Sequence, residues 1–335
     1  MAVSSTGVPL FAGLEDVDDL FITTLDERET DVGNLIDIKD PVWEHMKERG
    51  AIEYRSGRGL YVPVNLMTKT NSTAKFFTHY DDADNTPQDA LEQAKAAYGK
   101  IAGVQMYSRE ELEINSGAEQ LIDLVDTKRD QLETSLNNVI AGHLMLSTTA
   151  DGRAPDTLGA VVTQGVSLHG IDPATAGNDW WQPVRTYKTG TTAFALATEF
   201  RQGLRKFYRQ LSLYDRAPQL LTIAGEDVYD AYQAWAEGKL QLQGIGSLKG
   251  SESWGDANTF EHRGSTVVYS PQLPAKEAWG LNLKTTKIRV PRSTNFTYTP
   301  WQMMEGKFAA KKRNCLFTFA VYCRDRRCNG RIVFS

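Results

Sequence analysis

The stretch GAEQLIDLVDTKRDQLETSLNNVIAGHLML, residues 117–146, contains no proline, and its one internal glycine comes late, at Gly142. It reads as a single helix of roughly 30 residues, about 45 Å long at 1.5 Å per residue. An ordinary globular helix is about a third of that length. Ser116 followed by Glu119 suits a capping box at its start. Ala118, Leu121, Val125, Lys128, Leu132, Leu136, Val139 and His143 recur every three or four residues and form one stripe. The middle, DTKRDQ, is polar except where the Lys128 stem can cover the stripe. A core helix would be apolar on more sides, and a coiled coil would keep its a and d positions apolar throughout. The helix is therefore expected to lie along a sheet on one side, with its outer face wet.

Charge is unevenly placed around this helix. The net charge is −5, which argues against a dedicated nucleic-acid binder. Residues 1–50 hold 12 acidic and 4 basic side chains, whereas residues 311–335 hold seven basic ones and a single acid, Asp325. Residues 1–40 scatter Leu10, Phe11, Leu20, Phe21, Leu35 and Ile36 among the acids and read as an extended arm whose apolar residues need a partner surface. No apolar run reaches the roughly 18 residues of a membrane span. The basic and apolar regions of a signal peptide are missing at the N-terminus, so synthesis in a reducing cytosol is expected.

Elsewhere the pattern is mixed. DPVWEHMKER, residues 40–49, reads as a short helix with Asp40 as N-cap and Pro41 at its first position. Residues 59–66 and 98–114 read as strands separated by a long polar excursion that carries Phe76, Phe77 and Tyr80. Aromatics on a projecting loop point to a contact site. Residues 147–190 are loop-rich. Residues 192–211 form an amphipathic helix, APQLLTIAG a strand, and EDVYDAYQAWAEG a helix ending at Gly238. The glycine-rich segment 244–255 reads as a surface loop, followed by strands in GSTVVYSPQLP and AWGLNLKTTKIRV, then by strands and a basic turn.

The search for chemistry yields little. GIGSLKGSESWG lacks the spacing of a phosphate-binding loop. GVSLHG brings Ser167 and His169 close together but is not a nucleophile elbow. HYDDADN has neither the glycine nor the distal glutamate of a calcium loop. Cys315, Cys323 and Cys328 have no histidine within fifty residues and read as free thiols rather than zinc ligands. The five histidines show no metal-binding pairing, and His143 reads as a packed residue of the helix stripe. No catalytic residue, cofactor or metal is expected. An acidic arm, an aromatic loop and one long helix suggest a chain built for contacts.

The order of elements resembles the major capsid proteins of tailed double-stranded DNA bacteriophages, the Hong Kong 97 type fold. Locally, APQLLTIAGEDVYDAYQAWAEG resembles that family's proline-led strand and following helix, and GSTVVYSPQLPAKEAWGLNLKTTKIRV its strand, turn and strand. The resemblance implies an α+β fold divided into an N-terminal arm (1–50), an extended hairpin loop with flanking strands (51–115), a spine helix and peripheral domain (116–190), an axial domain (191–290) and a return to the peripheral domain (291–335). It implies self-assembly into hexamers and pentamers, an icosahedral shell around packaged DNA bound without sequence preference, and a place in the virion capsid. Portal, scaffolding and decoration proteins are the further partners it suggests, with no membrane. No charged helical segment stands at the N-terminus as a fused scaffold. Lys69 and Lys75 on the loop have no assignable asparagine or acid for a covalent cross-link. Phe76, Phe77, Tyr80, Arg326 and Arg327 are the expected inter-subunit contacts, the arginines by pairing with the acidic arm. The alternatives are an encapsulin-like cargo compartment of the same fold and a hydrolase using Ser167 and His169.

Overall fold

A computed structural model describes residues 41–56, 59–76, 78–79, 82, 90–114, 124–147, 153–215, 219–243, 259–262, 265–306 and 310–335. The arm 1–40, the glycine-rich segment 244–255 and the expected capping pair Ser116 and Glu119 lie outside these residues. The described chain runs α1 (Pro41–Glu48), β1 (Ile52–Arg55), β2 (Tyr61–Met67), β3 (Leu91–Ala97), β4 (Gly99–Ser108), α2 (Arg109–Ile114), α3 (Leu124–Leu144), α4 (Leu158–Val162), β5 (Val184–Thr186), α5 (Leu196–Leu211), β6 (Leu220–Ala224), α6 (Glu226–Gln243), β7 (Thr259–His262), β8 (Ser265–Tyr269), β9 (Glu277–Asn282), β10 (Thr286–Pro291), β11 (Thr297–Tyr298), β12 (Gln302–Met303), β13 (Ala310–Cys323) and β14 (Gly330–Val333). No helix among the described residues is long and apolar enough to cross a membrane.

Contacts divide the chain into two units, the first including Ile101–Ile140 and Phe296–Phe317, the second Lys39–Lys100, Ala141–Asn295 and Thr318–Ser335. The segment 291–335, expected to return as one piece, is shared between them: its middle belongs to the first unit, while β14 enters the large sheet of the second.

In the first unit a helix lies on a sheet. The leading part of β13 pairs with β11, β12 and β4. Within the described residues the expected rod is α3, 21 residues in length, and it packs through Leu132 and Leu136 against Gly103 of β4. A Cβ at Gly103 would come within 2.5 Å of Leu132 Cδ1, so glycine sets how closely helix and sheet approach. The buried stripe differs from the expected one. Leu136, Ile140 and Leu144 are buried at four-residue spacing, whereas Val139 is 57% exposed, because its three-residue step carries it past the covered face. A capping box does exist, one helix earlier: Ser108 Oγ accepts the Glu111 N–H, and Glu111 accepts the Ser108 N–H at 2.8 Å. Lys128 of α3 bonds Glu111 at 3.0 Å. Arg313 lies between Tyr298 and Trp301, 4.4 and 4.5 Å from their ring centres, and donates to buried Gln105. Tyr298 in turn donates to Glu133 of α3 at 2.6 Å.

In the second unit the larger sheet has the order β5-β14-β9-β6-β8-β7. β6 is buried at every position, as a strand covered on both faces must be. α5 presents Phe200, Gly203, Leu204, Phe207, Tyr208 and Leu211 to one face, the spacing of an amphipathic helix. Gly280 of β9 lies beneath Phe207 and Leu211, and a Cβ there would come within 2.4 Å of Leu211. Beneath this helix three buried hydroxyls form a chain: Tyr208 bonds Thr222, Thr222 bonds Ser265, and Ser265 donates to the Leu220 carbonyl. α6 continues past Gly238 to Gln243, so that glycine does not end it as expected. α4, unexpected from the loop-rich composition, is a five-residue helix buried on all sides and capped by Thr157 Oγ1, which accepts the Ala160 N–H.

Two smaller arrangements complete the second unit. β1, β10 and the last residues of β13 form adjacent strands, parallel then antiparallel. β2 and β3 make an antiparallel hairpin whose register pairs Val62 with Ala96, Val64 with Ala94 and Met67 with Leu91. The partner of β2 is therefore residues 91–97, which begin in the last residues of the expected polar excursion and end before residue 98, and not residues 98–114, which hold β4 and α2.

Candidate assembly surfaces and the buried polar centre

Alternation along the hairpin sorts its side chains. Val62, Val64, Leu66, Ala94 and Ala96 are buried, while Pro63, Asn65, Gln93 and Lys95 face outward. At the distal end the outward positions themselves turn apolar: Met67 and its cross-strand partner Leu91 are 80% and 72% exposed. Beyond them Asn71 caps a turn, its Oδ1 accepting from the Thr73 N–H and hydroxyl. Phe76 follows, fully exposed. Phe77 and Tyr80, expected beside it, lie outside the described residues. Three large apolar side chains at the end of one ribbon suit burial against another surface. Met67 and Leu91 were not singled out from the sequence; strand register alone makes them neighbours.

Arg326 corrects an expectation. It is completely buried. All five of its N–H groups are used, each on a backbone carbonyl: Nε on Val161, one terminal nitrogen on Val166 and Trp181, the other on Ala160 and Thr163. Ala160, Val161 and Thr163 lie at the C-terminal end of α4, where carbonyls lack helical partners and a cation meets the negative end of the helix dipole. Burial pulls the guanidinium down to about 10, so it remains charged at neutral pH. An arginine consumed in this way cannot pair with another subunit. Its neighbour Arg327 remains half exposed, clamped by both oxygens of Asp325 and stacked over Tyr214 at 4.7 Å.

His169 completes the buried centre and disposes of the hydrolase alternative. It is buried in the left-handed region at φ 55°. Nδ1 bonds Asp156 at 2.7 Å, and Nε2 accepts the Cys323 backbone N–H at 2.9 Å. With that lone pair engaged, His169 has none left to take a proton from Ser167, whose hydroxyl instead meets the Ile171 carbonyl at 3.4 Å. Trp181, also buried, donates to the Leu168 carbonyl. The three cysteines are free and buried. Burial pushes the thiols of Cys323 and Cys328 up to about 12, so they are poor metal ligands and poor nucleophiles. His143, expected to pack, has its ring against Phe319 and Nε2 at 3.0 Å from the Pro155 carbonyl.

A second charged group stands on the strands β1, β10 and β13. Glu53 bonds Lys287 at 2.9 Å and Arg289 at 3.4 Å, and Arg55 lies 3.8 Å away. Arg289 sits 5.0 Å over the Tyr322 ring, with Arg324 at 6.0 Å from the same ring. Burial works to raise the Glu53 carboxyl, but hydrogen bonds from Lys287 and Arg289, with the Tyr322 hydroxyl nearby, outweigh it and hold the group at about 2.

No family model matches this sequence. No curated protein matches it either. The folded chain, however, is similar to solved structures. It matches the cyanophage A-1(L) capsid asymmetric unit with a TM-score of 0.61 at 15% identity, covering 86% of this chain and 92% of that one. The capsid of Myoviridae phage XM1 matches with a TM-score of 0.55 at 9% identity, over 93% and 97% of the two chains. The capsid of the native GTA particle matches at 0.52 and 14% identity, over 91% and 95%. Sequence identity this low with coverage this complete identifies a shared fold: the chain has the α+β fold of phage capsid proteins.

Proposed function

We propose that this chain is a structural capsid protein that assembles into hexamers and pentamers and closes an icosahedral shell around double-stranded DNA. Similarity to capsid chains over nearly their whole length carries the reading. The hairpin supports it, since Met67, Leu91 and Phe76 present apolar area that a neighbouring copy can bury. Each square ångström of apolar area so removed from water contributes about 25 cal/mol. Summed over many copies, individually weak contacts of this kind hold a shell together. Its place is the virion capsid, and portal, scaffolding and decoration proteins are its natural partners.

Electron microscopy of the purified protein tests the proposal. Round particles or five- and six-membered rings are expected, and small monodisperse molecules under all conditions would refute it. Co-purified DNA distinguishes a virion shell from a compartment, which would carry a cargo protein instead. Replacing Met67 and Leu91 together by serine should abolish particles without lowering the melting temperature, because both side chains are exposed within the subunit.

A further inference from the structure

The charged face of β1, β10 and β13 has more cations than it needs. Parallel pairing sets Glu53 beside Arg289 and Arg55 beside Pro291, and antiparallel pairing sets Lys287 beside Tyr322. Arg324 follows β13 on the same side, over the Tyr322 ring. Three cations, Arg55, Lys287 and Arg289, thus lie within 4 Å of the one carboxylate, and Arg324 stands beside them over the Tyr322 ring. Adjacent strands lie about 4.8 Å apart, and alternate residues on one strand about 7 Å. At such spacings like charges repel unless an anion stands opposite them. Arg55 is 64% exposed, and Arg324 is exposed as well. In a chain whose net charge is −5, the described residues thus gather four cations and one carboxylate on one small patch.

We infer that this face binds the phosphodiester backbone of double-stranded nucleic acid and is the side of the subunit turned toward the packaged genome. The inference rests on the capsid reading for the identity of the nucleic acid, and on the charge geometry for the site. The guanidinium groups of Arg55, Arg289 and Arg324 offer planar donors suited to phosphate oxygens. No base-reading element is needed, because backbone neutralisation is independent of sequence. The acidic residues 1–40 of a second copy are the competing anion. Their apolar members, among them Leu10, Phe11, Leu20 and Phe21, need an apolar seat, and the exposed side chains of this face, Arg55 and Arg324, are charged. A phosphate backbone has no such requirement.

The test uses the full-length protein and a short random-sequence DNA duplex, with affinity followed by fluorescence anisotropy across a range of salt concentrations. Replacing Arg55 and Arg324 by glutamine removes two cations that take no part in the Lys287 and Arg289 bonds to Glu53. The slope of log affinity against log salt should flatten by about 2, with a roughly tenfold loss of affinity at physiological salt. The paired lysine variant, Arg55→Lys with Arg324→Lys, should keep the parent slope. Unchanged melting and far-ultraviolet circular dichroism establish that the glutamine variant is folded. Parent-like slope and affinity in that folded variant overturn the inference. Loss of particles with parent-like duplex binding also overturns it, and assigns the face to a protein contact such as the acidic arm. A parent protein that forms no particles refutes the capsid reading, while the salt slope still decides whether the face binds a polyphosphate.

Discussion

Two charged regions of the second unit, one closed and one open, solve the same problem in opposite ways. Around Arg326 a cation is sealed inside the protein with no carboxylate bonded to it, and five carbonyls take its five donors. Around Glu53 a carboxylate sits part-exposed beneath several cations, and its partners are side chains on neighbouring strands. The contrast is sharpest between adjacent residues. Burial lowers the affinity of Arg326 for its proton, whereas a hydrogen bond to Asp325 raises that of Arg327. A sealed charge is held by geometry that nothing else can supply. An open charge shares its partners with water and is more easily replaced.

The comparison can be broken from the closed side first. Arg326→Ala should cost about 4 kcal/mol or more, since it strands five buried carbonyls and leaves a cavity. Arg326→Lys should recover little, because an ammonium cannot reach carbonyls spread around a planar fork. Thermal or chemical denaturation measures both, and a loss below 1 kcal/mol for the alanine variant would mean that water replaces the guanidinium. His169→Ala comes next, at about 2–3 kcal/mol, because the Cys323 N–H and Asp156 lose their shared partner.

On the open side the effects are smaller and depend on pH. The folded Glu53 carboxyl titrates at about 2, below its ordinary 4.5. A depressed carboxylate contributes stability that is fully present above the unfolded value and is lost as pH falls toward the folded one. Glu53→Gln should therefore cost on the order of 1–2 kcal/mol at neutral pH and remove part of the acid sensitivity between about pH 4.5 and 2. Parallel stability–pH curves for parent and variant would contradict this. The smallest effect is expected for Arg327→Ala, roughly 0.5 kcal/mol, because its pair with Asp325 is local and half exposed. A loss as large as that of Arg326→Ala would erase the distinction between the two regions.

The β2–β3 hairpin shows how far local reading reaches. β2 is visible in GLYVPVNL because valine and leucine alternate with polar residues. β3 is not, because its inward residues are Ala94 and Ala96, whose small side chains give a weak apolar signal among Glu92, Gln93 and Lys95. The long helix was legible as one-sided, yet Val139 was placed on the wrong side of the boundary, since spacings of three and four are nearly interchangeable over two turns. Of the expected contact residues, Phe76 is exposed as an aromatic on a projecting loop should be. Arg326 and Arg327 looked equivalent in RDRRC and are not.

Local periodicity by itself determined the amphipathic face of α5, the apolar run of β6 and the turn-separated strands β9 and β10, because each depends on residues a few positions apart. The order of those elements was enough to suggest the capsid fold. Tertiary structure decided which arginine was buried and which carboxylate was shared. Glu53 meets Lys287 across 234 positions, and His169 meets the Cys323 N–H across 154. A charge is sealed or left open by the donors, acceptors and apolar walls that distant segments bring to it, and no short stretch of sequence contains them.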